Sequence, residues 1–299
     1  MRVATYNLQN LRLRTRDGRH VLDGAADHDA DSPLRPIELS WADRVETARV
    51  IASAEADVVG LQEVFDQATL DFFHDRFVIN AGPQTYPFRY CLAGNDGRGR
   101  NVAALCKREP IHVRSNAALT GANLRLSDLH PDLLDRPIFR RDCLELEFDT
   151  FMLFVCHFKA PYPDAAKAHA VRSAEALAVR KIIEARFPEP GNGRWIILGD
   201  FNEPESGSGS STSALEPLKS AFAIDLLDRM ASGTDWTYEM PDSHFRTRPD
   251  RILVSPRLAQ EFPRVRPQIL RTGMSAEGAN SAPPHASDHA LIYADFPGL

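Results

Sequence analysis

Short apolar runs alternate with polar turns along most of the chain, a pattern typical of buried strands. The predicted strands cover residues 2–8, 57–62, 88–92, 102–106, 111–114, 144–148, 151–158, 195–199, 251–255, 265–270 and 290–296. Apolar residues at helical spacing predict helices at about 41–56, 66–76 and 164–186. Many strands with few helices, and hairpins mixed with crossovers, predict an α/β fold. We expect a four-layer αββα sandwich of two mixed, mostly antiparallel sheets flanked by helices.

The same pattern predicts how the chain is organised into domains. No break in composition marks a boundary, so residues 1–299 are expected to form a single domain. The polar stretch at about 10–40, with its glycines and prolines, predicts a surface insertion. A second polar stretch, Ser/Gly-rich at 205–213, predicts a flexible loop.

Composition and charge narrow the class of protein. With 43% hydrophobic and 25% charged residues, the chain resembles an ordinary soluble globular protein. The net charge of -6 excludes the global basic field that dominates non-specific nucleic-acid binding, although arginines cluster locally at 12–19, 98–100 and 246–251. The four cysteines lie in apolar, strand-like runs without a Cys-x-x-Cys pair, which predicts buried, reduced thiols.

No apolar run reaches membrane-spanning length, and the N-terminus reads directly as a strand rather than as a signal peptide. A cytoplasmic protein is therefore expected if Met1 is the native start, and a secreted one if a signal was removed. No obligate protein partner is visible in the sequence.

Six short polar motifs end or follow apolar runs, and they carry the candidate chemistry. They are Thr5-Tyr6-Asn7, Leu61-Gln62-Glu63-Val64, Cys156-His157-Phe158, Gly199-Asp200-Phe201-Asn202, Pro249-Asp250-Arg251-Ile252 and Ser287-Asp288-His289. Their carboxylate and amide oxygens suit a hard cation such as Mg²⁺. Their imidazoles suit proton transfer and contact with an anionic phosphate. The inventory indicates metal-assisted cleavage of a phosphoester.

Taken singly, each of these residues has an ordinary structural interpretation. An isolated Asn or Asp is most simply a turn or cap residue. Glu63 alone would be a surface carboxylate, and His157 alone a core histidine with its hydrogen bonds satisfied. Their shared placement at the ends of predicted strands changes this assessment, because polar groups can converge there over a rigid sheet.

The order of the motifs and their neighbours resembles the endonuclease/exonuclease/phosphatase superfamily, from Asn7 to His289. Gly-Asp-Phe-Asn and Ser-Asp-His are the most specific marks, and Leu-Gln-Glu-Val is nearly as specific. This resemblance implies that Glu63 is the principal metal ligand, with Asn7 beside it, and that Asp288 completes the metal region. The implied metal is Mg²⁺, with Mn²⁺ as an alternative.

The resemblance also implies catalytic roles. Asp200 would orient or deprotonate the attacking water, and Asn202 would hold a phosphate oxygen or the metal. Asp250 would pair with His289, which then contacts the scissile phosphate or acts as acid or base. His157 would bind the phosphate from the other side. Arg141 would lie nearby, since Arg141-Asp-Cys-Leu-Glu-Leu-Glu-Phe resembles a phosphate-binding segment of the family.

The substrate is left open by these residues. Lys159 lies in a segment that resembles the His-x-Lys-Ser of bacterial nuclease-like members, and is expected to reach a phosphate unless it is simply solvated. Arg246 and Arg248 lie in a basic loop, 243–248, that could bind a nucleotide or form a solvated hairpin tip. We expect a Mg²⁺-dependent phosphodiesterase acting on nucleic acid or nucleotides. The alternatives are hydrolysis of a small phosphorylated metabolite, inositol phosphate or phospholipid headgroup and, more remotely, a non-catalytic binding scaffold.

Overall fold

The computed structural model describes residues 1–16, 18–22, 41–126, 131–203, 212–219, 221–240, 243–274 and 284–299. The strands are β1 (Arg2–Leu11), β2 (Arg14–Arg16), β3 (Arg19–Val21), β4 (Val58–Val64), β5 (Phe88–Tyr90), β6 (Asn101–Cys106), β7 (His112–Arg114), β8 (Cys143–Glu147), β9 (Met152–His157), β10 (Trp195–Asp200), β11 (Ile224–Asp225), β12 (Tyr238–Glu239), β13 (Arg246–Thr247), β14 (Asp250–Val254), β15 (Gln268–Leu270) and β16 (Leu291–Asp295). The α-helices are α1 (Trp41–Ala54), α2 (Gln67–Phe73), α3 (Ile79–Ala81), α4 (Pro131–Leu134), α5 (Ala165–Arg186) and α6 (Pro256–Glu261).

Two six-stranded sheets form the centre of the fold. Their strand orders are β15-β16-β1-β4-β6-β5 and β11-β14-β10-β9-β8-β7. Each sheet has one parallel pair at its centre, β1 with β4 and β9 with β10. The strand pairs on both sides of it are antiparallel. The predicted sandwich of mixed, mostly antiparallel sheets flanked by helices is therefore confirmed.

Apolar faces divide the core into layers. Between the sheets lie side chains from both, among them Val58, Leu144 and Leu198. The outer face of the first sheet is covered by residues of α1 and α2, and that of the second by α5. At Gly60 a Cβ would lie 2.3 Å from Leu198 Cδ1, so the absence of a side chain allows the two sheets to approach closely at this point.

Most predicted elements form within a few residues of their expected bounds. The helix expected at 66–76 is instead α2 followed by a π-helical turn at His74–Val78, while Asp66 caps its start by accepting a hydrogen bond from the Thr69 amide. Residues 17 and 23–40 of the predicted insertion, and most of the predicted loop at 205–213, lie outside the described residues. The cysteines are all buried and unbridged, as predicted. No described helix combines the length and apolar character needed to cross a membrane.

The parallel pairs determine where the polar motifs meet. Because β1 and β4 run in the same direction, Asn7 pairs in register with Gln62, next to Glu63. In the second sheet, His157 at the end of β9 pairs with Asp200 at the end of β10. The antiparallel strand β14 starts opposite, so that Asp250 also pairs with Asp200. One edge of the sandwich thus collects the strand ends that carry the polar motifs.

Candidate active site

Asp200 lies at the centre of this edge and is buried. Its Oδ2 accepts a hydrogen bond from Asn7 Nδ2 at 3.1 Å, and its Oδ1 accepts one from the Asn202 amide at 2.8 Å. Two imidazole nitrogens face the same Oδ2, His157 Nε2 at 3.6 Å and His289 Nε2 at 4.0 Å. Burial raises the pKa of Asp200 to about 6, although His289 and the two hydrogen bonds act in the opposite direction. A carboxylate with this pKa can accept a proton near neutral pH.

Asp250 and His289 form a buried pair beside Asp200. Asp250 Oδ2 lies 2.9 Å from His289 Nδ1 and also accepts a 2.6 Å hydrogen bond from Thr237 Oγ1. Burial by itself lowers the pKa of His289, but the surrounding carboxylates, Asp250 first, raise it well above its ordinary value. The ring of Tyr238 lies 4.8 Å from that of His289 and shields one side. His289 is therefore a protonated imidazole at neutral pH, held in place by Asp250.

His157, in contrast to His289, is neutral. Burial, followed by the cationic side chains of Arg141 and Arg100, holds the pKa of His157 well below its ordinary value. Its Nδ1 atom is buried and has no hydrogen-bond partner among the described residues. A neutral imidazole and an imidazolium thus flank one carboxylate, an arrangement suited to acid–base chemistry.

Glu63 has an unusual backbone conformation for a non-glycine residue, with φ at 64°. Its Oε2 accepts a 2.8 Å hydrogen bond from the Asn10 amide. Desolvation and the neighbouring carboxylate of Asp288 raise the pKa of Glu63 to about 7. A buried carboxylate whose ionisation is disfavoured by a neighbouring carboxylate is a common setting for a bound cation, which would offset the repulsion.

A second group of donors lies close by. Single ligand atoms of Asp200, Asp250 and His289 fall within 4.8 Å of one another. Asp250 Oδ1 is buried without a hydrogen-bond partner among the described residues. Carboxylate oxygens are the ligands that hard divalent cations prefer, so the donor chemistry of this edge fits a metal ion.

A comparison with protein families matches residues 4–289 to the endonuclease/exonuclease/phosphatase family. The chain belongs to this family. The resemblance found in the motifs is therefore confirmed, and the protein is an enzyme of a kind that hydrolyses phosphoester bonds. A search of curated proteins found no significant match to the sequence.

Solved structures show the same fold at low sequence identity. A family member from Bacteroides thetaiotaomicron is 18% identical with a TM-score of 0.58, covering 98% of this chain and 96% of that one. A 3′-5′ exonuclease from Neisseria meningitidis is 15% identical with a TM-score of 0.57, covering 99% of both chains. A mannosyl-6-phosphatase from Bacteroides thetaiotaomicron is 17% identical with a TM-score of 0.56, covering 99% of this chain and 98% of that one.

Arg141 and Lys159 flank the backbone that follows His157. Arg141 is buried, donates through Nη1 to the Phe158 carbonyl at 3.0 Å, and pairs through Nε with Asp96 at 3.2 Å. Lys159 turns back onto its own loop, where its Nζ donates to the carbonyls of Ala160 and Tyr162. Arg141, from the segment before β8, therefore contacts the backbone after His157, and Lys159, within that segment, is held by backbone contacts.

Arg246 and Arg248 are occupied by carboxylates of their own surroundings. Arg246 pairs with Glu239 across the β12–β13 hairpin and lies over the ring of Trp236. Arg248 bridges two further carboxylates, Asp228 and Asp235, at 2.9 Å each. The hairpin itself reaches the central cluster through Tyr238, which forms a β-bridge with His289. Each of these two arginines therefore has a local counter-charge.

Several residues that support the candidate site were not identified from the sequence. Thr237 fixes Asp250, and Ser287 donates through Oγ to the Asn7 carbonyl at 2.7 Å. Arg44 of α1 is fully buried and donates to the carbonyls of Leu8 and Gln9, just beyond Asn7. Arg44 could have been found from the sequence, because it is a charged residue within the apolar face of a predicted helix. Thr237 gave no signal, because its loop matches no motif.

Proposed function

We propose that this family member is a Mg²⁺-dependent phosphodiesterase acting on nucleic acid or nucleotides. The observation that carries the proposal is the position of Asp200 between a neutral imidazole and an imidazolium. Asp200 takes the proton of the attacking water. His289, held by Asp250, contacts an oxygen of the scissile phosphate and supplies a proton to the leaving oxygen. Neutral His157 and the Asn202 amide group contact the remaining phosphate oxygens.

Glu63 and Asp288 would hold the cation, with the Asn7 amide oxygen beside them. The repulsion that Asp288 exerts on the Glu63 carboxylate supports this assignment, because a divalent ion would offset it. When bound, Mg²⁺, or Mn²⁺ in its place, would supply Lewis-acid polarisation of a phosphoryl oxygen and would offset charge on the leaving oxygen. Arg141, from the opposite side, adds positive charge next to the His157 segment.

Solved structures with the same fold favour a nucleic-acid substrate. Structures with the same fold include the Neisseria 3′-5′ exonuclease and a 3′ phosphatase bound to a product DNA hairpin. Exposed aromatic side chains of Tyr162 and Phe245 lie on the loop after His157 and on the β12–β13 hairpin, where bases could stack.

We further propose that residues 1–299 form one domain, because a shared apolar layer joins both sheets.

A second candidate is hydrolysis of a small phosphorylated metabolite. It is favoured by the pairing of Arg246 and Arg248 with carboxylates, which leaves less positive charge for a long polyanion. The net charge of -6 acts in the same direction. A mannosyl-6-phosphatase also has this fold.

One panel of assays tests both candidates. Hydrolysis of bis-p-nitrophenyl phosphate should require Mg²⁺ or Mn²⁺ and stop with EDTA. Plasmid DNA, RNA, inositol phosphates and mannose 6-phosphate are then compared at equal enzyme concentration. Highest kcat/KM on a nucleic acid supports the first candidate, and highest kcat/KM on a phosphomonoester supports the second. Hydrolysis that is unaffected by EDTA and metal replacement would contradict the metal-dependent mechanism.

A further inference from the structure

The carboxylate of Glu175 on α5 is fully buried and is not part of the proposed reaction. Its two oxygens accept hydrogen bonds from two different chain segments. Oε1 accepts from the amide of Arg140 at 2.9 Å, directly before Arg141, and Oε2 accepts from the amide of Lys159 at 2.8 Å, two residues after His157. We propose that Glu175 is a positioning residue that sets the distance between Arg141 and His157. This inference rests on the proposed function, in which both side chains face the phosphate.

Arg172, one helical turn earlier, holds a third segment. Its Nη1 donates to the Lys159 carbonyl at 3.1 Å, and its Nε pairs with Glu203 Oε2 at 3.0 Å. Glu203 directly follows Asn202, and its Oε1 accepts a 2.7 Å hydrogen bond from the Ala214 amide. The backbone of Lys159 is thus held at its N–H by Glu175 and at its C=O by Arg172. One turn of α5 contacts the segments after β9 and β10 and the segment before β8.

The contacts of Phe158 show how a small backbone shift would move the side chains that are proposed to lie near the phosphate. Its carbonyl accepts hydrogen bonds from Arg141 Nη1 at 3.0 Å and from Asn202 Nδ2 at 3.1 Å. Glu175 therefore holds the N–H of the same peptide group whose carbonyl connects Arg141 with Asn202. A shift of the Lys159 amide moves that carbonyl, and with it two side chains that are assigned to the phosphate.

Burial of a carboxylate at this position is costly for stability, since an apolar side chain of similar volume would avoid the loss of hydration. The cost is offset in part by two backbone N–H groups that would otherwise be unsatisfied. An apolar contact could fill the space, but it could not hold two amides at fixed positions. The geometry thus favours a role in positioning over a role in packing.

The first test replaces Glu175 with glutamine, which keeps the size of the side chain. Its amide nitrogen is a donor and must face one of the two backbone N–H groups, so that one segment is released. We expect kcat on bis-p-nitrophenyl phosphate to fall roughly 10- to 100-fold, because displacements of about 1 Å are sufficient for such losses. KM and the far-UV circular dichroism spectrum should change little. The matched control is Glu184→Gln on the same helix, where the side chain pairs with Arg180 and Lys181 at the surface, and it should leave kcat unchanged.

The second test asks whether Glu175 acts through the phosphate side chains. In an Arg141→Ala/His157→Ala background, Glu175→Gln should cost less than about threefold in kcat, since residues that act as one unit are not additive. An equal factor in both backgrounds, or full activity of Glu175→Gln, would overturn the proposal. If Glu175→Gln does not fold, Glu175→Asp takes its place, because the shorter carboxylate cannot reach both amides. Full activity of the Arg141→Ala/His157→Ala protein itself would instead contradict the proposed function, so the two failures are distinguishable.

Discussion

Backbone strain marks residues of the site. Glu63 and Asn202 both have left-handed backbone conformations, with φ at 64° and 50°. Such conformations cost free energy for residues with a side chain, and they persist only where the surroundings fix them. The backbone N–H of Asn10 donates to the Glu63 carboxylate, and the backbone N–H of Asn202 donates to the Asp200 carboxylate. Side-chain position is thus determined by the strand end and not by rotamer preference alone.

Glu63→Ala should weaken metal binding far more than it weakens folding. The carboxylate is repelled by Asp288, so its loss removes a ligand and also relieves a destabilising interaction in the metal-free protein. We expect kcat/KM to fall at least 100-fold at ordinary Mg²⁺, with partial recovery at high Mg²⁺. Activity and calorimetric Mg²⁺ titrations measure the two effects. Full activity at ordinary Mg²⁺ would refute the ligand assignment.

The pair formed by Asp250 and His289 predicts non-additive losses. If Asp250 acts by holding the imidazolium, Asp250→Asn and His289→Ala disable the same unit. The double variant should then be scarcely slower than the slower single variant. A double-mutant cycle on kcat measures this coupling, and losses that simply multiply would show that the two residues act independently.

Residue identity was the part of the site that the sequence predicted best. Asn7, Asp200 and His289 lie in short motifs. The structure brings Asn7 within hydrogen-bond distance and His289 within ion-pair distance of Asp200. Partners supplied by loops could not be predicted in this way. Thr237 reaches Asp250 because the loop before β12 lies against the start of β14, and no spacing along the chain encodes that contact.

Helices on the outer faces do more than cover the sheets. On the first sheet, α1 sends Arg44 to the carbonyls of Leu8 and Gln9, and its Thr47 Oγ1 donates to the Ala286 carbonyl at 2.6 Å. On the second sheet, α5 sends Arg172 and Glu175 to the loops around His157. Each sheet thus has one helix with buried polar side chains that hold the loops of the active edge. The helices were predicted from apolar spacing, but that spacing is silent about polar residues on the buried face.

Glu175 also predicts a pH dependence of stability. Burial raises its pKa from 4.5 to about 7, outweighing the two backbone hydrogen bonds and the charges of Arg140 and Arg141. Between these values the folded state binds more protons than the unfolded state, so the free energy of unfolding falls as the pH rises from about 4.5 to 7. The component amounts to roughly 3 kcal/mol when complete. Glu175→Gln should lack it, which urea denaturation at pH 5 and pH 8 can measure. An equal pH response in variant and parent would show that Glu175 does not titrate in this range.

Gly199 is a position where the close approach of two strands, and not the reaction, requires glycine. Its φ is 144°, and a Cβ would lie 1.9 Å from the Cys156 carbonyl oxygen of the neighbouring strand. Gly199→Ala should therefore push β10 away from β9, destabilise the fold by roughly 2–3 kcal/mol and misplace Asp200. Gly191→Ala is the matched control, because no atom lies within 4 Å of its Cβ position. Unfolding midpoints and kcat compare the two variants. Equal stability would contradict the clash.

Both sheets repeat one pairing scheme, and the active edge depends on it. In each sheet a central parallel pair brings two strand ends together, Asn7 with Gln62 in one and His157 with Asp200 in the other. The two halves of the site come from different sheets, joined by the Asn7–Asp200 hydrogen bond. The layered fold followed from strand and helix counts, but the direction of each strand pair did not, because apolar runs carry no information about their neighbours.

Charge at the scale of the whole molecule distinguishes a polymer from a small substrate. The net charge is -6, so binding of a nucleic acid must depend on local cations. Arg98 and Arg100 lie close enough to His157 to lower the pKa of that imidazole, although Arg98 also pairs with Asp96 and Arg100 donates to Asn10. Arg246 and Arg248 pair with carboxylates and are not among the cations that act most strongly on His157. Positive charge that contacts a polymer should therefore be concentrated on the side of residues 98–100.

Salt titrations of DNA binding test this distribution. An Asp200→Asn protein, impaired in catalysis, is titrated with a short DNA duplex at several salt concentrations. Replacing Arg98 and Arg100 with alanine should flatten the log–log slope by about two units, one for each lost phosphate contact. The same replacement of Arg246 and Arg248 should flatten it by less than about one unit, because these arginines are not among the cations that act most strongly on His157 and should contact fewer phosphates. Equal changes in both double variants would contradict the assignment of the contacts. A slope near zero in the Asp200→Asn protein would exclude a polymeric substrate and favour the small phosphorylated metabolite, since a single phosphate releases few counterions on binding.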